Sequence, residues 1–222
     1  MVRALSSGSN SAFSLLLTLL FVTSASANAF RDGPLFNDPS DDTFGTPNIA
    51  HDIANVDAAA TGTDIVVSVD FYDEIAPPSA FSARSVVGFL DIDLDQNAGT
   101  GAVAKKSEFS PVADDALGSE FYIDLFSERF HPGQVEVIDT ATIQPVGMAI
   151  VTYNASSMTI ALPLDLIGGD LSFNYGLIVG DLLDMSDEAP NAGFHMLVPE
   201  PSSIALACAA GLALRTRRRR NR

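Results

Sequence analysis

The chain has 222 residues and a formal net charge of −16, because 28 acidic side chains outnumber 12 basic ones. This charge repels phosphate backbones, so it argues against nucleic acid as a partner. The single cysteine, Cys208, lies near the C-terminal end, and the rest of the chain therefore offers no disulfide, zinc–thiolate site or cysteine nucleophile.

The first 27 residues have the three-part pattern of a secretory signal peptide. Arg3 gives the leading segment a positive charge, an apolar run covers residues 12–22, and Ala25 and Ala27 form a small-x-small cleavage site. The apolar run is too short to span a membrane, since a spanning helix needs about 20 residues. Residues 1–27 are therefore predicted to direct export and to be removed by signal peptidase after Ala27.

Residues 28–197 form the body of the chain and hold 27 acidic and five basic side chains, a formal charge of −22. Asp, Pro, Asn and Gly dominate its first part, which predicts an irregular lead-in over residues 28–47. A single domain over residues 48–197 follows. Within it, short runs alternate apolar and polar residues, as strands with one buried face do. The predicted strands are residues 52–56, 64–72, 85–93, 120–126, 134–139, 148–153, 157–163 and 172–180.

Helical patterns are nearly absent from this domain. One helical turn is predicted at residues 164–167, and residues 99–118 are predicted to form a long loop on which Lys105 and Lys106 are exposed. Many short strands separated by turn residues indicate an all-β fold. We expect an antiparallel β-sandwich of two sheets, similar to a jelly roll.

The sharpest pattern in the domain is Gly-Phe-Leu-Asp-Ile-Asp-Leu-Asp-Gln-Asn at residues 88–97. Asp91, Asp93 and Asp95 recur at every second position, so a strand would place all three carboxylates on one face. Such carboxylates repel one another unless a cation lies between them, and calcium prefers oxygen ligands. Asp91, Asp93, Asp95 and Asn97 are therefore candidate Ca²⁺ ligands. The alternative is a strand end with solvated aspartates and an Asx turn at Asn97.

A second group of acidic residues follows the last predicted strand. The group consists of Asp181, Asp184, Asp187 and Glu188. Its position favours an acidic surface connection, although converging strand ends could bring one of these carboxylates to the same cation. His51 and His195 show no close ligand spacing to His131, and we interpret both as surface residues rather than members of a catalytic triad.

Residues 198–222 combine three features of a membrane-associated processing signal. Pro199, Glu200 and Pro201 form an extended motif, residues 204–214 are apolar, and six arginines follow. This arrangement resembles the PEP-CTERM sorting signal. The resemblance implies that an exosortase-type membrane transpeptidase recognises and cleaves the tail, while the apolar segment forms a short helix that anchors the protein transiently in the membrane.

A second resemblance covers residues 50–180. Its motifs are residues 52–56 and 62–71, residues 88–95 with Thr100 and Gly101, and residues 159–164 with Ile167 and Gly168. They are similar to the DOMON-like and family 9 carbohydrate-binding β-sandwiches. The resemblance implies a two-sheet sandwich, which binds a sugar or a haem in some members of these families. The sequence has no tryptophan and no haem ligand pair that would match those binding sites.

Together these patterns predict a non-catalytic β-sandwich that is exported across an inner membrane. The protein would act at the cell surface or in the extracellular matrix, where the sorting family is associated with exopolysaccharide. The sequence has no Gly-x-Ser-x-Gly element, phosphate loop or dinucleotide fingerprint. A carbohydrate-binding module and, less favoured, an acidic glycoside hydrolase are the alternatives.

Overall fold

The computed structural model describes residues 30–31, 36–45, 51–111, 117–169 and 171–197. The predicted signal peptide, with Ala25 and Ala27, and the predicted sorting tail, with Pro199, Glu200 and Pro201, lie outside these residues. Among the residues that are described, none of the helices combines the length and the apolar character needed to cross a membrane.

Short β-strands make up about half of the described residues and far exceed the helices, which confirms the all-β prediction. In chain order they are β1 (Phe30–Arg31), β2 (Phe36–Asn37), β3 (Ile53–Ala60), β4 (Asp64–Phe71), β5 (Val87–Asp93), β6 (Ala102–Val103), β7 (Gly118–Ser119), β8 (Phe121–Asp124), β9 (Gln134–Asp139), β10 (Gln144–Tyr153), β11 (Ser157–Pro163), β12 (Phe173–Gly180), β13 (Met185–Ala189) and β14 (His195–Leu197). The helices are all short, namely α1 (Lys105–Phe109) and 3-10 turns at Pro78–Ala80, Leu125–Arg129 and Leu164–Ile167.

Most of the strands belong to one continuous antiparallel sheet. Its hydrogen-bonded order is β1-β3-β4-β11-β10-β9-β8-β5-β12-β13, with β2 also paired to β3 and β14 to β12, while β6 and β7 pair separately. This continuous path differs from the two separate sheets that we expected. Register shifts in the β3–β4, β9–β10 and β12–β13 pairs bend the sheet instead of ending it. As a result β13 returns to β3, and the sheet is nearly closed.

The bent sheet encloses one apolar core. The strands contribute alternate residues to it, as Ile65, Val67, Val69 and Phe71 of β4 illustrate. The alternation predicted for residues 64–72 is thus confirmed. Full burial of such a side chain stabilises the fold by about 1.5–3 kcal/mol relative to exposure, so the core is the main source of stability in a domain without disulfides.

Two neighbouring strands, β5 and β12, are buried on both faces. Helix α1 covers their outer face, which is the face away from the core. Asp91 of β5 holds this helix by accepting hydrogen bonds from the backbone N–H groups of Lys105 and Lys106, at 2.8 Å each. Gly176 of β12 leaves room for the Lys106 side chain, since an added Cβ would lie 3.0 Å from Lys106 Cδ. Lys106 is therefore buried, and the prediction that it is exposed on a loop is wrong.

The sheet continues past residues 172–180, which the sequence predicts as the last strand. Both β13 and β14 pair with β12. Asp187 and Glu188 are consequently buried, so the prediction of an acidic surface connection is wrong at these two residues. His51 and His195 are also buried, which corrects their predicted surface position. The strands β13 and β14 lack an apolar alternation because they are short and lie at the margin of the sheet. Their pairing with β12, rather than a periodic pattern of apolar residues, accounts for their burial.

Candidate functional site

The predicted calcium ligands lie at the end of β5 and in the loop that follows it. One carboxylate oxygen each of Asp93, Asp95 and Glu120 lies within 4.8 Å of the others. Glu120 comes directly before β8, which pairs with β5 in a register that places Phe121 opposite Ile92. This register places the carboxylate of Glu120 beside those of Asp93 and Asp95, two of the predicted calcium ligands.

Hydrogen bonds curl the loop after β5 around Asp95. The N–H of Asn97 donates to Asp95 Oδ1 at 3.0 Å and to Asp93 Oδ1 at 3.2 Å, and Thr100 Oγ1 donates to Asp95 Oδ2 at 2.8 Å. The Oδ1 atom of Asn97 accepts the N–H of Gly99 at 3.1 Å, which is the Asx turn expected as an alternative. Asn97 therefore contacts the carboxylates through its backbone N–H.

Asp91 has different partners, although it shares a strand face with Asp93. Both Asp91 oxygens accept N–H groups from the start of α1. Of the four predicted ligands, the structure thus groups Asp93 with Asp95 and directs Asp91 toward the helix. Sequence reasoning missed Glu120, because its proximity depends on the pairing register of β5 and β8 and on no local motif.

Burial raises the pKa of both Asp93 and Glu120 above the ordinary values. Hydrogen bonds oppose this effect in part, since Asn174 Nδ2 donates to Asp93 Oδ2 at 3.2 Å and the N–H of Leu94 donates to Glu120 Oε2 at 2.8 Å. A divalent cation would instead favour the charged carboxylates. Their all-oxygen donor set is the one that Ca²⁺ prefers, so this group can serve as a calcium site.

A groove of about 300 Å³ runs along the outer side of β5. Its apolar lining includes Phe89 of β5, Phe109 at the end of α1, and Phe126. The rings of Phe89 and Phe109 are stacked, with centroids 5.7 Å apart and planes 8° from parallel. Gly88 also lines the groove, and an added Cβ there would lie 2.0 Å from the carbonyl oxygen of Ile178, so the pairing of β5 with β12 needs glycine at this position.

Three acidic residues, Asp124, Asp181 and Asp184, line the same groove. Burial raises the pKa of Asp124 above its ordinary value, and the hydrogen bond that Asp124 Oδ1 accepts from Phe126 N–H at 2.9 Å lowers it in part. Lys105 lies nearby, with its Nζ 6.0 Å from the centre of the Phe89 ring. Flat apolar rings beside hydrogen-bonding carboxylates can hold a ligand that has both apolar faces and hydroxyl groups.

No motif in the sequence identifies this groove, because its rings come from separate elements. Phe89, Phe109 and Phe126 are brought together only when α1 folds onto β5 and a 3-10 turn follows β8. Comparison with known proteins adds no analogy: no family model, no curated protein and no solved structure matches the chain.

Proposed function

We propose that this chain is an exported, non-catalytic protein of the cell surface or extracellular matrix, and that its aromatic groove binds a polysaccharide. The two parts of the proposal have independent support. The terminal patterns of the sequence support export and sorting, and the groove supports binding.

Export is supported by the agreement of two distant segments. Residues 1–27 have the pattern of a signal peptide, and residues 198–222 resemble a PEP-CTERM tail. Signal peptidase and an exosortase-type transpeptidase would then be the processing partners. A body of formal charge −22 suits an exported protein, because it favours solubility and repels anionic membrane surfaces.

The stacked pair of Phe89 and Phe109 is the single observation that carries the binding proposal. An aromatic face can cover the apolar C–H side of a sugar ring, and the carboxylates of Asp124, Asp181 and Asp184 can accept hydrogen bonds from its hydroxyl groups. These features favour the carbohydrate-binding alternative and extend it to the exopolysaccharide expected of the sorting family.

Phe109→Ala tests the binding proposal. Phe109 is 44% exposed, and α1 is held by Asp91 and by buried Lys106, so the substitution removes the ring without removing the helix. The full-length chain and the variant are compared on a broad array of acidic and neutral polysaccharides. We expect binding by the wild type and at least a tenfold loss for Phe109→Ala. Phe81→Ala is the matched control, because Phe81 is similarly exposed but does not line the groove.

Asp124 supports a glycoside hydrolase as the second candidate. A carboxyl group with a raised pKa in a groove with other carboxylates is a candidate general acid. Asp124 also caps the 3-10 turn at Leu125–Arg129, which is a structural reason for its position. Reducing ends are therefore measured on every polysaccharide that binds. Sugar release that Asp124→Asn abolishes would replace the binding proposal by hydrolysis, and binding to none of the polysaccharides would refute both.

A further inference from the structure

We propose that Asp38, Asp42, Asp52 and Asp187 bind a calcium ion at the seam where the two ends of the sheet meet. We call these four residues the seam cluster. They are distinct from the carboxylates at the end of β5, and the proposal is independent of polysaccharide binding.

The seam cluster assembles from three parts of the chain. Asp38 and Asp42 follow β2, Asp52 directly precedes β3, and Asp187 lies in β13. One carboxylate oxygen each of Asp38, Asp42 and Asp187 lies within 4.8 Å of the others. Asp52 lies beside them, because its Oδ2 accepts the N–H of Asp41, the neighbour of Asp42, and the next residue, Ile53, donates its N–H to Asp187 Oδ2. Carboxylates from distant parts of the sequence thus come together where β13 returns to β3.

Several oxygens of the seam cluster are buried and have no hydrogen-bond partner among the described residues. Asp38 and Asp52 are only 7% and 8% exposed. Asp38 Oδ2, Asp42 Oδ1 and Asp52 Oδ1 are buried and accept no hydrogen bond from any described residue. None of the four aspartates forms an ion pair within the described part of the chain. A buried charge without partners is strongly unfavourable, and a cation bound in the seam cluster would compensate it.

The remaining oxygens are held by hydrogen bonds that orient the cluster. Asp187 Oδ2 accepts the N–H of Ile53 at 2.6 Å, and Asp187 Oδ1 accepts the N–H of Glu188 at 2.8 Å. Asp52 Oδ2 accepts the N–H of Asp41 at 2.8 Å. Supporting hydrogen bonds of this kind fix the ligands of metal sites. Asp38 Oδ2 and Asp52 Oδ1 are left without a donor among the residues that the structure describes.

The chemistry of the cluster selects a hard divalent cation. Its donors are all carboxylate oxygens, which suit calcium rather than zinc or copper. Calcium also accepts six to eight ligands in irregular geometry, so water molecules can complete the shell.

Asp38→Asn is the main test, because it removes one charge and preserves shape. The full-length chain is freed of metal with EDTA and titrated with CaCl₂ by calorimetry, and thermal unfolding is followed with and without calcium. We expect Asp38→Asn to weaken the affinity of one site at least tenfold. Asp70→Asn, an exposed change in β4, is the matched control and should bind as the wild type does. Asp95→Asn should leave the seam site intact, because Asp95 belongs to the other carboxylate group.

Stability should change in opposite directions with and without calcium. In EDTA, Asp38→Asn should be at least as stable as the wild type, because it removes repulsion among buried carboxylates. In calcium, the wild type should become the more stable protein. If Asp38→Asn fails to fold, Asp42→Asn repeats the test at a half-buried position. Equal stabilisation of the wild type and Asp38→Asn by calcium would overturn the proposal. So would a result in which Asp95→Asn binds no calcium at all.

Discussion

The ammonium group of Lys106 lies 3.5 Å from Glu188 Oε2, and the two side chains are only 1% and 3% exposed. This buried pair joins α1 to β13 across the outer face of β12. Glu188 Oε1 also accepts a hydrogen bond from Ser110 Oγ at 2.8 Å, and Lys106 Nζ is 3.4 Å from the carbonyl oxygen of Gly193. The helix that forms one wall of the groove is therefore fixed by charge as well as by packing.

Breaking this pair should destabilise the protein strongly. We expect Lys106→Met to lower the free energy of unfolding by about 3–5 kcal/mol, because it leaves the Glu188 carboxylate buried without its partner. Adding Glu188→Gln to Lys106→Met should restore part of that loss. Lys105→Met is the control, since Lys105 pairs with Glu108 at the surface and exposed pairs contribute about 0–1 kcal/mol. Urea unfolding measures all four proteins, and equal losses for the two lysine variants would contradict the buried pair.

Asp91→Asn should show whether Asp91 holds α1, as the structure indicates, or binds calcium, as the sequence pattern predicts. Asn has one acceptor oxygen where Asp91 uses two, so we expect a loss of about 1.5–3 kcal/mol from one charge-assisted hydrogen bond to α1. Polysaccharide binding should weaken as well, because α1 carries Phe109. Calcium affinity should stay unchanged. If calorimetry instead showed that Asp91→Asn loses a calcium ion, Asp91 would be a ligand, as the sequence pattern alone suggests.

Calcium binding at the end of β5 predicts a loss of stability in EDTA that depends on Asp95 and Glu120. A cation at one hundred times its dissociation constant stabilises a protein by about 2.7 kcal/mol. EDTA should lower the stability of Asp38→Asn through loss of calcium from the β5 group alone. We expect Asp95→Asn and Glu120→Gln each to abolish this remaining loss. Thermal unfolding of single and double variants measures the two parts. An EDTA effect that Asp95→Asn leaves whole would exclude this group as a site.

The stability of the protein should depend on pH through Asp124. Its pKa is raised in the folded state from an ordinary value of 3.8, so folding favours the protonated form. Its stabilising contribution is therefore complete below that ordinary value and is lost as the pH rises through the folded-state pKa. We expect Asp124→Asn, which cannot ionise, to gain stability relative to the wild type as the pH increases from about 4. A difference in unfolding free energy that does not vary with pH would show that Asp124 is not perturbed.

Export predicts two processed ends. Mass spectrometry of the protein from its own cells should find an N-terminus at Asn28 and a C-terminus near residues 199–201. The apolar segment and the arginine cluster should then be absent from the mature protein. Recovery of an intact chain from the cytosol would contradict both processing predictions and the proposed location.

Periodicity predicted the central strands well, because their alternation is the direct consequence of having one face in the core. Residues 134–139 and 157–163 match β9 and β11 at both ends. The sequence did not predict β13 and β14, the strands that follow β12, because their burial does not produce an apolar alternation. In β13 the buried residues include Asp187 and Glu188, and their burial depends on partners far along the chain.

The two carboxylate groups likewise combine residues that local spacing predicts with residues that only the fold brings together. The spacing of Asp93 and Asp95 was visible in the sequence because both lie within one strand and its loop. Glu120 joins them through strand register, and Asp38 joins Asp187 through closure of the sheet. Such contacts depend on the three-dimensional path of the chain, and composition with local spacing does not encode that path.

The short strands at the margins of the sheet have a consequence for crowding. β1 and β2 cover the outer edge of β3, and β13 and β14 cover that of β12. A long exposed edge is a template to which another chain adds by backbone pairing, and it promotes fibre formation. Within the described residues each outermost strand has only two to five residues, so little template remains. Neighbouring copies of the protein therefore find little strand edge to pair with, even at high concentration.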